Sequence, residues 1–190
     1  MYMARARGAI SAMQTDKLMT VDEFLVWEDG TDVRYELMDG VVRAVTPLCN
    51  VERTIKARTA AMVHTALRGR RGCHAEISPV VRISDRTMWL IDIAVTCQPP
   101  ALEMARPILV IEIMSAESAS HDLGRKLPDY TAIATVQEAW MIHSERRWVQ
   151  LWHRDDERWI VKVLAGTDVF RSAFLDALIE LDRLYDMSGL

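Results

Sequence analysis

Two aliphatic runs in this chain are each interrupted once, near the middle, by a carboxylate. Residues 88–95 read Met-Trp-Leu-Ile-Asp-Ile-Ala-Val, with Asp92 as the sole charge, and residues 108–114 read Ile-Leu-Val-Ile-Glu-Ile-Met, with Glu112 as the sole charge. Short runs so rich in aliphatic residues predict strands buried on both faces, and Asp is disfavoured in such places. Strand alternation sets Asp92 on a face with Leu90 and Ala94, and Glu112 on a face with Val110 and Met114. A buried ionised carboxylate is strongly disfavoured unless it is paired, protonated or bound to a cation. Two on consecutive strands also repel each other. Separate arginine partners or water at a strand end would account for either one alone. A divalent cation between them answers both problems together, because hard cations such as Mg²⁺ take carboxylate oxygens.

The remaining pattern is that of an α/β or α+β chain with a largely mixed sheet. Thr20-Val21-Asp22-Glu23 has the form of a capping box and predicts a short helix over about residues 21–29, ended by Gly30. Asp39-Gly40 between apolar runs 34–37 and 41–45 predicts a hairpin. Asn50 is a candidate N-cap for a helix from residue 51 to about 67, with Ile55, Ala60, Val63 and Leu67 as its apolar stripe. Strands are expected at 75–83, 88–96 and 108–114. A helix is expected over 119–134 despite Pro128, followed by a three-strand meander at 138–143, 147–153 and 158–164. Residues 173–186 read as a final helix or an extended tail. Residues 1–18 read as a leader, poor as a signal peptide because it lacks a sustained apolar core. Residues 19–190 are then expected to form one domain.

The formal net charge of −4 argues against a protein that coats nucleic acid through overall charge. Its distribution is uneven, since residues 51–71 hold six basic residues against Glu52 alone. Arg53, Lys56 and Arg58 at the start of that helix are candidates for phosphate contact, although a solvated helix face has the same composition. Cys49, Cys73 and Cys97 have no metal or redox spacing and read as separate thiols in a reducing cytoplasm. No apolar stretch is long enough to span a bilayer.

Phosphodiester hydrolysis at a metal-carboxylate pair also calls for a cation to orient water or stabilise charge. The same-face position two residues after Glu112 is Met114, so the nearest candidate is Lys126 on the following helix. On spacing alone, an exposed helix lysine describes it better.

Arg34-Tyr35-Glu36-Leu37-Met38-Asp39-Gly40, Ile91-Asp92-Ile93-Ala94-Val95, Leu109-Val110-Ile111-Glu112-Ile113-Met114-Ser115 and Lys126-Leu127 with Tyr130 resemble the ordered motifs of the Uma-type restriction endonuclease family of the PD-(D/E)xK superfamily. The similarity runs from about Met19 to the C-terminus. It implies a restriction-endonuclease-like core with an N-terminal hairpin and a C-terminal meander, and Mg²⁺- or Mn²⁺-dependent cleavage of DNA or RNA. Asp92 then matches the first metal carboxylate, Glu112 the second, and Lys126 a lysine displaced to the next helix. Glu36 matches a family carboxylate near the metal, with a strand-edge salt bridge to Arg34 or another Arg as its other reading, and Tyr130 matches a family tyrosine that packs. The chain departs from the pattern in two places. Ile91 replaces the proline before the Asp, and Glu52 stands where a His is common.

Other constellations are weaker. Ser115, Ser118, His121 and Asp122 lack a nucleophile elbow and read as a polar loop leading into a helix. Trp140, Trp148, Trp152 and Trp159 on the meander read as core or interface. The leading expectation is a cytoplasmic, homodimeric, metal-dependent DNA endonuclease without membrane contact. The competing one is a catalytically silent nuclease-fold protein that binds nucleic acid or a partner as a dimer.

Overall fold

The computed structural model describes residues 18–186, so the expected leader lies outside the described residues except for Leu18. Helix α1 (Val21–Leu25) opens on the capping box, in which the Glu23 amide donates to Thr20 Oγ1 at 3.2 Å and the Thr20 amide to Glu23 Oε2 at 2.8 Å. It is shorter than the expected 21–29. Strands β1 (Tyr35–Met38) and β2 (Val41–Ala44) turn through Asp39 and Gly40, both at positive φ (52° and 84°), as a two-residue hairpin turn demands. Helix α2 (Asn50–Ala66) follows and buries Ile55, Ala60, Val63 and Leu67. Its N-cap is Cys49 rather than Asn50, and the capping acceptor is the Glu52 side chain, 2.6 Å from the Cys49 amide.

The next two expected strands are each cut in half. Residues 75–83 become β3 (His74–Ile77) and β4 (Val80–Ser84), and residues 88–96 become β5 (Thr87–Leu90) and β6 (Ile93–Thr96). Ser78 adopts a left-handed conformation (φ 56°) and precedes Pro79, which lacks the amide needed for a ladder. The Ser78 amide bonds Asp92 O, so both breaks fall at one level. On one side β4 and β5 join a four-stranded sheet of order β2-β1-β5-β4. On the other, β3 and β6 enter a six-stranded sheet with β7 (Leu109–Met114), β8 (Glu138–His143), β9 (Trp148–Asp155) and β10 (Arg158–Ala165), in the order β10-β9-β8-β7-β6-β3. Only β7 and β8 run parallel, and the helical crossover between them comprises α3 (Ala119–His121), a π-turn (Asp122–Lys126) and α4 (Leu127–Ala132). The expected mixed-sheet α+β fold is therefore present, meander included.

Both faces of the six-stranded sheet are covered at its central strands. Ile93, Val95, Leu109, Ile111 and Ile113 pack against α2 and against the C-terminal segment, where Phe170, Ile179, Leu181 and Leu184 are buried. Ala94, Val110, Met114 and Met141 pack against Leu127 and Tyr130 of α4 and against Val81 and Trp89 of the smaller sheet. The C-terminal segment is neither a single helix nor a tail. It forms a hairpin of β11 (Val169–Ser172) and β12 (Ala177–Glu180), then α5 (Leu181–Tyr185). The buried Glu138 carboxylate fastens this hairpin by accepting from the amides of Ala173 and Phe174 and from Ser172 Oγ. The tryptophans of the meander divide, with Trp140 fully buried on one face and Trp148, Trp152 and Trp159 half-buried on the other.

Cys73 and Cys97 form a disulfide, which corrects the expectation of three separate thiols, while Cys49 is free and exposed. The β3–β6 register pairs His74 with Thr96, so the residues one step beyond the ladder face each other. Cross-strand neighbours 24 residues apart leave no mark in local cysteine spacing. Among the described residues, no helix is long and apolar enough to cross a membrane.

Candidate active site

The level at which the long strands break opens into a cavity of about 560 Å³, lined in part by Arg34, Arg53, Lys56, Asp92, Glu112 and Lys126. The β6–β7 ladder pairs Ile93 with Ile111, so the next antiparallel partners are Asp92 and Glu112. Backbone pairing stops there and side chains take over. The Asp92 amide donates to Glu112 Oε2 at 3.2 Å, and the Ile113 amide donates to Asp92 Oδ2 at 2.8 Å. Each carboxylate thus accepts from the opposite strand. Asp92 is not in the middle of a strand, as its apolar neighbours suggest, but in the gap between β5 and β6.

The crossover helix completes one side. Asp122, Lys126 and Tyr130 recur every four residues and face Glu112. The Tyr130 hydroxyl donates to Glu112 Oε1 at 2.5 Å, and Lys126 Nζ lies 3.6 Å from the same oxygen and 3.9 Å from Asp122 Oδ1. The helix is π-wound from Asp122 to Lys126, a geometry frequent at functional sites. Lys126 is buried, and its nearest partner is Glu36 Oε1 at 2.6 Å. That oxygen also accepts from the Leu90 amide at 3.1 Å. Glu36 therefore meets the site through Lys126, an ion pair with a lysine rather than with the expected Arg34 or another Arg, and is absent from the cavity wall. Trp89 packs its ring 5.7 Å from the ammonium.

Helix α2 supplies the other side. Lys56 Nζ bonds Asp92 Oδ1 at 2.7 Å and Ser78 Oγ at 2.8 Å. Arg53, one turn earlier, lines the cavity. Arg58 does not join them. Two helical positions beyond Lys56 amount to about 200° of rotation, and its guanidinium bonds Arg183 O and Asp186 on the far side.

Burial dominates the electrostatics. It raises the Glu112 carboxyl well above the usual carboxylate range, opposed by Lys126 and reinforced by the charges of Asp92 and Asp122. Asp122 is raised for the same first reason. Burial also disfavours the Lys126 ammonium, but Glu112, Glu36 and Asp122 together outweigh it and raise its pKa. Tyr130 is raised well above its ordinary value by burial and then by the Glu112 charge beside it, which keeps the phenol protonated as a donor.

Four carboxylates (Glu36, Asp92, Glu112, Asp122) thus share two ammonium groups, Lys56 and Lys126. A donor set of hard oxygens that already holds a tethered cation on Asp92 Oδ1 fits a divalent cation. Among the described residues no three His, Cys, Asp or Glu side chains converge as a ready-made cage. The fit is therefore to an ion such as Mg²⁺, which takes one or two carboxylates and fills its shell with water and substrate oxygens.

Asp122 and Ser78 were not foreseen as members of the site. Asp122 carried a signal in its spacing to Lys126 and Tyr130. Ser78 carried one in the proline that follows it.

An uncharacterized protein of Synechocystis sp. is 22% identical over 174 residues, covering 88% of this chain and 91% of its own length. The crystal structure of a "putative nuclease" from Anabaena variabilis shares the fold, with a TM-score of 0.73 at 15% identity over 90% of this chain and 99% of that one. The sequence model of the Uma2 family, described as "putative restriction endonuclease", matches residues 21–182, and the chain belongs to that family.

Proposed function

We propose that the protein is a Mg²⁺- or Mn²⁺-dependent endonuclease that hydrolyses phosphodiester bonds in DNA. The observation that carries this reading is the clasp between Asp92 and Glu112, with Lys126 Nζ 3.6 Å from Glu112, at the wall of a cavity large enough for a sugar-phosphate unit. Asp92 and Glu112 would hold the cation, which when bound supplies Lewis-acid stabilisation of the phosphoryl oxygens and a more acidic water. Lys126 touches the reacting region and offers fixed positive charge to the developing oxyanion. Glu36 acts on Lys126 rather than on the metal, fixing the direction of the ammonium. Arg53 and Lys56 face the cavity from α2 and would take the flanking phosphate. Arg58 has no place in this reading.

The test is incubation of supercoiled plasmid, single-stranded DNA and RNA with the full chain, with Mg²⁺, with Mn²⁺ and with chelator. The expected outcome is metal-dependent cleavage of DNA that vanishes in Asp92→Ala and Glu112→Gln. Cleavage that survives both substitutions, or proceeds in chelator, would overturn the assignment.

One observation favours the second reading, a catalytically silent nuclease-fold module. Every oxygen of Asp92 and Glu112 already has a donor within the protein. Under that reading DNA binds without being cut, with or without metal. Homodimerisation belongs to both readings. It finds support in β10, an edge strand of the six-stranded sheet with Ile160, Val161 and Val163 exposed, and light scattering tests it.

A further inference from the structure

Lys56 stands out among the cations of the cavity because of what holds it. Its ammonium is clamped between Asp92 Oδ1 at 2.7 Å and Ser78 Oγ at 2.8 Å. Asp92 Oδ2 accepts from the Ile113 amide, and Oδ1 is the oxygen that already meets a cation. The Lys56 side chain is 12% exposed and Asp92 is 14% exposed, so the pair lies at the cavity wall with little water to weaken it. Ser78 is not a casual neighbour. It occupies a left-handed backbone conformation that few non-glycine residues adopt, and its amide binds Asp92 O while its hydroxyl binds Lys56. One strained residue therefore ties together the carboxylate and the lysine that covers it.

We infer that Lys56 is a displaceable counter-ion that competes with the divalent cation for Asp92 Oδ1. This rests on the reading of Asp92 and Glu112 as the metal carboxylates. An ammonium and a metal ion cannot both lie within bonding distance of one carboxylate oxygen along the same direction without strong repulsion. Occupation of Oδ1 by metal releases Lys56, and the released ammonium sits on the cavity wall beside Arg53, where the two together can meet a phosphate. In the free protein the same lysine lowers metal affinity. The site would thereby discriminate against weakly bound or scarce cations until a ligand that also carries phosphate is present.

The probe is Mn²⁺ alone, titrated into the full chain without nucleic acid and followed by calorimetry and by the electron paramagnetic resonance signal of the free ion. Lys56→Gln is expected to bind Mn²⁺ roughly tenfold or more tightly than the wild type, since a neighbouring charge contact is typically worth that factor. Lys56→Met guards against a folding failure of the first variant and is expected to act in the same direction. Lys56→Arg, which keeps the charge, is expected to stay near the wild-type affinity. Damage to the fold would weaken binding, so a gain separates competition from a merely structural role. Binding by Lys56→Gln where the wild type shows none would also support the inference. Equal or weaker binding by the uncharged variants would overturn it and leave the metal site standing. Absence of Mn²⁺ binding in the wild type and both uncharged variants would overturn both.

Discussion

Lys126 is held by Glu36, Glu112 and Asp122 in a place nearly closed to water, and its removal would leave three carboxylates without their shared cation. Breaking a buried pair by deleting one partner costs about 3–5 kcal/mol. Lys126→Met is therefore expected to lose stability of that order in urea at pH 7 and to lose less in mild acid, where Glu112 and Asp122, both raised by burial, take up protons. Glu112 gives the complementary expectation. Its pKa is raised in the folded state, so the unfolded chain gives up this proton first as pH rises from the ordinary carboxylate range towards the raised value. The wild type loses stability across that window, and a side chain that never ionises does not. Unfolding curves in chelator should show Glu112→Gln gaining on the wild type between pH 4 and pH 7. A constant difference over that range would mean that Glu112 ionises as readily in the fold as out of it.

At the scale of elements, local chemistry was legible where a turn or cap is written in adjacent residues. Thr20 with Glu23, and Asp39 with Gly40, mark a helix start and a hairpin turn within a few residues of sequence. A Cβ on Gly40 would come within 3.1 Å of Met19 O at a φ of 84°. Gly40→Ala should accordingly cost about 1–2 kcal/mol in chemical denaturation. Glu52, which looked like a functional departure, is 8% exposed and caps α2. Glu52→Ala should cost about 1 kcal/mol and Glu52→Gln less, because an amide oxygen can still accept from Cys49. What stayed hidden in the sequence depends on distant partners. The apolar run around Asp92 looks continuous, yet the chain divides it because β5 and β6 serve different sheets. The alternation around Glu112 was readable because β7 is unbroken, and Val110 and Met114 do share its side of the sheet. Asp92 lies at the break itself, between β5 and β6. The hairpin of β11 and β12 was missed because its anchor, Glu138, lies more than thirty residues earlier.

For the molecule as a whole, the net charge of −4 and the basic start of α2 predict a modest salt dependence. With Arg53 and a metal-released Lys56 as the cavity-facing cations for phosphate, the slope of log K against log salt for duplex DNA in the presence of metal should be roughly −2. A slope several times steeper would place the nucleic acid across a broader surface than this cavity. The disulfide closes a loop between residues 24 apart, a constraint typically worth about 3 kcal/mol through the unfolded chain. Reduction should therefore lower the unfolding midpoint of the wild type and leave a Cys73→Ser, Cys97→Ser double variant unchanged.

The clasp between Asp92 and Glu112 carries a consequence for descent. These side chains take over strand pairing where the backbone ladder ends, so they are retained by selection for a folded chain even in a lineage with no further need for catalysis. The cavity lysine Lys56 and Arg53 pair no strands and have no such protection. In a branch that abandoned its chemistry, the acidic pair would outlast the reaction it once served, and drift would show first in the cations around it.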